Sequence, residues 1–401
     1  MSFLPLAGVK VVDMTNSLAG PYCTLLLGAL GADVVKVEHP ERGDESRSWG
    51  PPFWNGESTM FLGANAGKRS LGLDVKDPRG LEAAQRLIDS ADVFVQSLRA
   101  GTAEKLGLGD ETMRARNPRL VYCNLGAFGK KGPLAQDAGY DPLLQAFSGI
   151  MSVTGETGRG PVRAGVSLID QGTGTWAAFA ILAALWERER TGNGCTVDVS
   201  LFETAIGYMT NPTVGFLATG KAPRANGTGY PSIVPYQVFA AKDGNLMVAA
   251  ANNKLFGSLC TALGLQELIA DPRFRGNPDR VANKNALMPY LEGAIGARGR
   301  DELVAVLRDA GVPAAPVQDA GEVWAHPQTE AIGIKQALPH PDVPEFVTYG
   351  VPFQFDGVRP PYRSAPPRLG EQSREVLAEL GYSKADVAAL EADGVITKPR
   401  A

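Results

Sequence analysis

In the N-terminal part of the chain, short apolar runs rich in β-branched residues alternate with longer stretches of helical periodicity. Residues 9–13 read as a buried strand closed by a turn, 21–30 as a helix stopped by Gly31, and 33–38 as a second strand. A β-α-β unit of this kind implies parallel strands. Residues 71–75 read as a further strand. Asp77-Pro78 then opens a helix to about Asp89, with Asp as N-cap and Pro at the first helical position. Strands follow at 93–96 and 120–124, and the alternation puts the chain in the α/β class.

After a glycine-rich stretch at 149–165, a helix is expected from about Gly172 to Thr191. It is apolar nearly all round until its Trp-Glu-Arg-Glu-Arg end, so it should be buried, with a basic last turn that suits the helix dipole. A strand at 196–200 and a helix at 202–217 come next. Composition then shifts to a Gly/Pro/Asn loop near 220–229, where a domain boundary is placed. The expected organisation is a large domain over 1–220, a small α/β domain over 225–325, and an extended, Pro-rich return over 326–401 that completes the large domain. The small domain carries a strand at 246–250 and helices near 254–263, 284–297 and 301–310. The chain ends in two short helices, the second opening on the capping-box pattern Ser383-Lys-Ala-Asp386.

Charge narrows the function classes. Thirty-nine Lys+Arg against 43 Asp+Glu leave a net charge of −4, which argues against a nucleic-acid partner. The longest apolar run, Trp176 to Trp186, is too short to span a bilayer, and the N-terminus lacks a signal-peptide pattern, so a cytoplasmic protein with no membrane partner is expected. The four cysteines form no CxxC and the three histidines no HxxxH, so no metal site is expected.

Nucleotide motifs fail in instructive ways. Gly67-Lys68-Arg69 resembles the end of a P-loop, but its first glycine would fall on Leu62 and Arg69 stands where Ser or Thr must bind magnesium. Gly172-Thr-Gly174-Thr-Trp-Ala177 matches G-x-G-x-x-A formally, yet Asp170 just ahead would repel a pyrophosphate and Asp198 lies inside its strand, so NAD is not expected. Asp170 itself has two readings. It is a helix N-cap, or it is a nucleophile that attacks a thioester carbonyl to form a mixed anhydride. Gly172 and Gly174 would then leave room for a bulky ligand and offer backbone N–H groups to an oxyanion. Basic residues recur near the strand ends (Arg42, Arg47, Lys68, Arg69, Lys76, Arg99 and Lys105), and a subset at the carboxyl edge of a parallel sheet would suit a phosphorylated ligand.

The run AGPYCTLLLGALGADVVKVEHPERGDESR from Ala19 to Arg47 resembles the N-terminal signature of the family III CoA-transferases, the group named for carnitine CoA-transferase and bile-acid-inducible proteins. Matches follow in order at NAGKRSLGLDVKDPRG, LRAGTAEKLGLG, NPRLVYCNLGAFGKKGP, AGYDPLLQAFSGIM, LIDQGTGTWAAFAILAALWERERTGNG and YPSIVPYQVFAAKDG, and the tail PPRLGEQSREVLAELGY also fits. The resemblance spans nearly the whole chain. It implies a formyl-CoA-transferase-like fold, with a Rossmann-like large domain built from both chain ends, a small inserted domain, and two subunits interlocked as a homodimer. It implies that coenzyme A, as acyl-CoA, is a substrate and that the other substrate is a free carboxylic acid, succinate or another dicarboxylate being plausible by analogy. The family's catalytic aspartate falls on Asp170, which would pass through an aspartyl anhydride and an aspartyl-CoA thioester without a metal.

The CoA-binding positions of formyl-CoA transferases match Ser17, Leu18, Ala19, His39, Leu73, Asp74, Val75, Lys76, Ser97, Leu98, Arg99 and Lys105. His39 and Lys105 stand where those enzymes have Arg. Leu18 replaces a glutamine near the reacting centre, and the glycine run over the active site is missing, so formyl and oxalate are disfavoured as substrates. Tyr140, Asp141 and Gly172 are expected to line the acyl site. The family also holds α-methylacyl-CoA racemases, whose acid/base His aligns with Tyr140; a phenol of pKa about 10 is a poor replacement at neutral pH. A racemase-like isomerase and a non-catalytic CoA-binding paralogue are the alternatives to a transferase.

Overall fold

The computed structural model describes residues 3–398. Its central sheet has six parallel strands: β1 (Lys10–Met14), β2 (Asp33–Glu38), β3 (Arg69–Gly72), β4 (Val93–Gln96), β5 (Val121–Gly126) and β6 (Thr196–Ser200). They lie in the order β3-β2-β1-β4-β5-β6. This is the doubly wound order, in which ligands bind outside the carboxyl ends of the strands where the winding reverses, here between β1 and β4. The strands are apolar on both faces because helices cover both.

Five helices matter for the site: α1 (Ala19–Ala29), α2 (Pro78–Asp89), α3 (Asp141–Phe147), α4 (Leu168–Thr191) and α5 (Leu201–Tyr208). One face of the sheet packs Val11, Val93, Val95 and Val121 under α1 and α4, through Cys23, Leu27, Ala177, Ile181 and Leu185. The other packs Val12, Val35, Phe94 and Tyr122 under α2 and the C-terminal helices, through Leu87, Ile88, Val376 and Leu377. Full burial of each such side chain contributes about 1.5–3 kcal/mol. Asp77 caps α2 by accepting from the Arg79 N–H, and Ser383 and Asp386 form the reciprocal box on the last helix.

Contacts divide the chain into two units. One comprises the chain up to Ile150, Ala164–Val214 and the chain from Glu330 onward; the other comprises Met151–Arg163 and Gly215–Thr329. In the first unit the returning chain closes the open edge of β3. Ser70 N–H donates to Gln372 Oε1 at 2.8 Å, Gln372 N–H donates to Ser70 O at 3.1 Å, and Gly72 N–H donates to Ser373 Oγ at 3.2 Å. An unpaired edge strand invites association with other chains, and this return removes it. The second unit has an antiparallel sheet of Tyr236–Ala241, Gly244–Ala249 and Ala314–Pro316. Helices Asn253–Leu263, Lys284–Gly296 and Arg300–Asp309 complete its core around Phe239, Leu246, Phe256 and Leu291.

Several expectations shift. The strand expected at 71–75 sits at Arg69–Gly72: Leu73 N–H still reaches Glu38 O at the end of β2, but Leu73 also bridges Ile396, and Asp74 turns to the returning chain, its N–H donating to Val395 O at 2.8 Å. The helix expected at 202–217 is two, α5 and Thr210–Thr219. Pro212 has no N–H to continue the ladder from α5, so the helix restarts around it. α4 begins four residues earlier than expected, and by length and composition alone it could cross a membrane. In this fold one side of it fills the core. The expectation that it is buried all round is corrected, since Trp176, Phe179 and Trp186 are 51%, 65% and 73% exposed.

Gly174 explains why α1 and α4 lie so close. A Cβ there would fall 2.5 Å from Ala19 O and 3.0 Å from Cys23 N, both backbone atoms of α1. Gly174→Ala is therefore expected to destabilise the protein by about 1–3 kcal/mol, read as a lower midpoint of thermal unfolding. At Gly172 the nearest atoms belong to the Tyr208 side chain, which is 45% exposed, and not to backbone, so Gly172→Ala should cost less.

Candidate active site

The site is built where α4 starts. Ser167 precedes the helix but makes no side-chain cap. The first-turn N–H groups find acceptors elsewhere: Leu168 donates to Val166 O at 2.9 Å, and Ile169 and Asp170 both donate to Asp141 Oδ2, at 2.7 and 3.1 Å. A helix leaves its first N–H groups unsatisfied, and Asp141 supplies the acceptor from 28 residues away. The other oxygen of Asp141 accepts from Gln145 Nε2 at 2.5 Å, and Gln145 Oε1 in turn accepts from Ala164 N–H at 2.8 Å. Behind these groups Leu144, Ile150, Ile169, Leu201 and Ala205 form a small apolar core that fixes α3, α4 and α5 together.

Asp170 is thus in the first turn of α4 and is not its N-cap. Its carboxylate is part-buried, and among the described residues no cation or hydrogen-bond donor is paired with it. Partial burial, reinforced by the charge of Asp141, pushes its pKa up to about 7. Such a carboxylate is costly to ionise in the fold, which marks it as a candidate for chemistry.

Two expectations about the acyl site are corrected. Gly172 is the fifth residue of α4, so its N–H belongs to the helical ladder and is not offered to an oxyanion. A Cβ on it would sit 1.9 Å from Tyr208 Oη, so the glycine allows Tyr208 to pack. Asp141 is 1% exposed with both oxygens engaged, so it holds α4 and does not line an acyl pocket. Tyr140, one residue earlier, is 48% exposed and reaches Glu45, whose charge raises the pKa of the phenol. Asp141→Ala is expected to cost about 1–3 kcal/mol, since two helix N–H groups lose their acceptor. It should also lower the pKa of Asp170. The checks are a thermal melt and the acid limb of the pH–rate profile.

The carboxyl edge of the sheet gathers the other expected positions. Ser17, Leu18 and Ala19 follow β1, His39 follows β2, Leu73 to Lys76 follow β3, and Ser97 to Arg99 follow β4, with Lys105 ending the helical turn Thr102–Lys105. Hydrogen bonds join these loops: Asn16 N–H donates to Ser97 Oγ at 3.1 Å, and Leu73 N–H to Glu38 O at 2.8 Å. Leu18 and Leu73 are buried, at 8% and 2%, so Leu73 offers its backbone and not its side chain at that edge. His39 Nδ1 accepts from the N–H groups of Glu41 and Arg42, which leaves Nε2 for any other partner.

Beneath this edge lies a network that the sequence reading missed. Buried Asp13 accepts from Thr15 and Thr24 hydroxyls at 2.5 and 2.6 Å and from Lys68 Nζ at 3.0 Å. Lys36 Nζ donates to Thr15 O and pairs with Asp44 Oδ2, each at 2.8 Å. Arg47 grips Glu38 with two bonds of 2.7 and 2.8 Å. Burial alone would raise the pKa of Asp13, but Lys36, Lys68 and the hydroxyls hold it well below the usual carboxylate range. Lys68 is less well served: burial draws it down to about 8. The network sorts the basic residues. Arg47, Lys68 and Arg69 are spent on Glu38, Asp13 and Asp33, whereas Arg42, Lys76, Arg99 and Lys105 make no ion pair among the described residues.

A family model described as CoA-transferase family III matches residues 6–373. The chain belongs to that family. Its relatives include a succinyl-CoA:glutarate CoA-transferase of Mus musculus, 37% identical over 98% of this chain and 91% of its own length. A succinate–glutarate CoA-transferase of Agrobacterium fabrum is 36% identical over 94% of this chain and 96% of its own. Among solved structures, a CAIB/BAIF family protein from Brucella suis superposes with a TM-score of 0.86 at 40% identity, covering 94% of this chain and 99% of that one. As a family III CoA-transferase the protein acts on CoA thioesters, and the crevice between β1 and β4 is where a doubly wound sheet offers room for such a ligand.

Proposed function

We propose that the protein moves CoA from succinyl-CoA to a second dicarboxylic acid, with Asp170 as covalent nucleophile. The observation that carries this reading is the part-buried Asp170 carboxylate, with no cation paired to it among the described residues and held by its backbone on Asp141. Its ionised oxygen attacks the thioester carbonyl, CoA leaves as thiolate, and an acyl-aspartyl anhydride remains. The thiolate then attacks the aspartyl carbonyl, releasing succinate and leaving an aspartyl-CoA thioester. The acceptor carboxylate attacks that thioester and expels the thiolate, which attacks the acceptor's acyl carbon. The new acyl-CoA departs and Asp170 is again a carboxylate, with no net proton taken up. The names of the Mus musculus and Agrobacterium fabrum relatives support succinyl and glutaryl groups as the exchange pair.

CoA itself is proposed to lie along the carboxyl edge, over Ser17–Ala19, His39, Leu73–Lys76 and Ser97–Arg99. Arg42, Lys76, Arg99 and Lys105, which make no ion pair among the described residues, would face its phosphates. We also propose an interlocked homodimer, in which the exposed aromatic face of α4 at Trp176, Phe179 and Trp186 is covered by a second copy; exposed apolar patches of this kind mark association. Light scattering on the eluted protein should give twice the chain mass, and a monomer would count against it. For activity, succinyl-CoA is mixed with glutarate and other dicarboxylates and the thioesters are separated. A new acyl-CoA forming as succinate appears is the expected result. Deuterium entering an α-carbon with no acceptor acid would point to the racemase chemistry instead.

A further inference from the structure

One carboxylate, Glu45, touches both Ser17 and Tyr140 and has no place in the exchange steps above. Glu45 opens the short 3-10 turn Glu45–Ser48 that follows β2. Its base is rigid, because Asp44 caps that turn by accepting from Ser46 N–H at 2.9 Å and pairs with buried Lys36. The Glu45 side chain is exposed and makes no ion pair among the described residues. Its Oε1 accepts from Ser17 Oγ at 2.7 Å, and the two oxygens lie 3.5 and 3.4 Å from Tyr140 Oη. A carboxylate can only accept, so both hydroxyls turn their protons toward Glu45 and present lone pairs elsewhere.

The two ends of this bridge matter separately. Ser17 lies on the turn between β1 and α1 with φ +70°, a conformation rare for a side-chain-bearing residue. Its N–H donates to Asp44 Oδ1 at 3.0 Å, so consecutive carboxylates hold it by backbone and side chain. Residues held in such strained conformations cluster at functional sites. Tyr140 leads into α3 and adjoins Asp141, the residue that holds the backbone of Asp170. Trp49 packs edge-on against the Tyr140 ring at 6.3 Å and limits its swing. Arg99 is the other charged group that acts on the Tyr140 phenol.

We propose that Glu45 is a positioning residue for CoA exchange: it ties the Ser17 turn to Tyr140 and so fixes the Tyr140–Asp141 segment that holds the backbone of Asp170. The proposal rests on the reading of Asp170 as the nucleophile. Succinyl-CoA and glutarate serve as the probes. Glu45→Ala is expected to lower kcat/KM about tenfold, and Glu45→Gln, which keeps an acceptor oxygen, to recover to within about threefold of wild type. Tyr140→Phe should cost about fivefold, and because the two act through one contact the double variant should lose about tenfold and not the fiftyfold product. A thermal melt on each variant checks that the fold is kept, which the exposure of both side chains favours. Glu45→Ala within twofold of wild type, or single losses that multiply in the double variant, would overturn the proposal. If Asp170→Asn still exchanges CoA, the nucleophile reading falls and this one with it. If Asp170→Asn is inactive and the Glu45 variants behave as wild type, only the role of Glu45 falls.

Discussion

Asp170→Asn is expected to lower CoA exchange by at least about a thousandfold while leaving the fold intact, because the amide cannot form the anhydride that divides the reaction into two easier steps. The same substitution should stabilise the protein. The wild-type carboxyl has its pKa pushed up to about 7 from 3.8 in the fold. As pH rises from about 4 to 7 the unfolded chain releases this proton before the folded chain does, so stability falls across that window and stays lower above it. Asparagine removes the loss. After discounting for residual exposure, the variant should be about 1–2 kcal/mol more stable than wild type at pH 8, with the gap closing toward pH 4. Denaturant unfolding at both values is the check. Activity has the opposite requirement. The nucleophile must be ionised, so kcat/KM of the wild type should rise through an apparent pKa near 7 and level off above it. A site residue that lowers stability and is required for turnover is the signature expected of a functional group.

The largest structural effect is expected at Asp13→Ala. It leaves Lys68 and Lys36 buried at 0% side-chain exposure, Lys68 with only Pro21 O and Asn65 Oδ1 and Lys36 with only Asp44 and Thr15 O. Breaking a buried ion pair from one side costs about 3–5 kcal/mol, because an uncompensated charge remains in the interior. For a chain of this length that is a midpoint lower by roughly 5 °C. By contrast, Arg190→Ala removes an exposed pair with Glu187 one helical turn away and should change stability by less than about 0.5 kcal/mol. The comparison separates charge burial from charge pairing. Loss of Asp13 should also loosen the turn at Thr15–Ser17, since Thr15 gives both its N–H and its hydroxyl to that carboxylate.

The parts of the fold legible in the sequence are those set by local forces. β1, α1 and β2 follow from alternating apolar runs and a glycine stop, and the caps at Asp77 and Ser383 from side chains within three residues of the groups they bind. What was not legible depends on long-range contacts. Asp170 reads as an N-cap because aspartate favours that position, but the acceptor for the first turn of α4 comes from Asp141 on another helix. The glycines at 172 and 174 read as a ligand cradle, whereas each is needed where another side chain or backbone approaches closely. Leu73 and Val75 continue an alternating pattern beyond β3, yet the returning C-terminal chain pairs with Leu73 and Asp74 there. The charged network under the carboxyl edge left no periodic trace at all, because Asp13, Lys36 and Lys68 sit on three different strands or their lead-ins. One signal was available: a lysine inside an otherwise apolar strand, Val35-Lys36-Val37, demands a buried carboxylate nearby.

The most direct measurement is the intact mass of the protein after brief mixing with succinyl-CoA and borohydride reduction, followed by peptide mapping. A mass change on the peptide carrying Asp170, absent from Asp170→Asn, is the predicted result, because borohydride reduces an aspartyl thioester and spares a free carboxylate. An unchanged mass in enzyme that is exchanging CoA, or a change on any other residue, would contradict Asp170 as the covalent nucleophile.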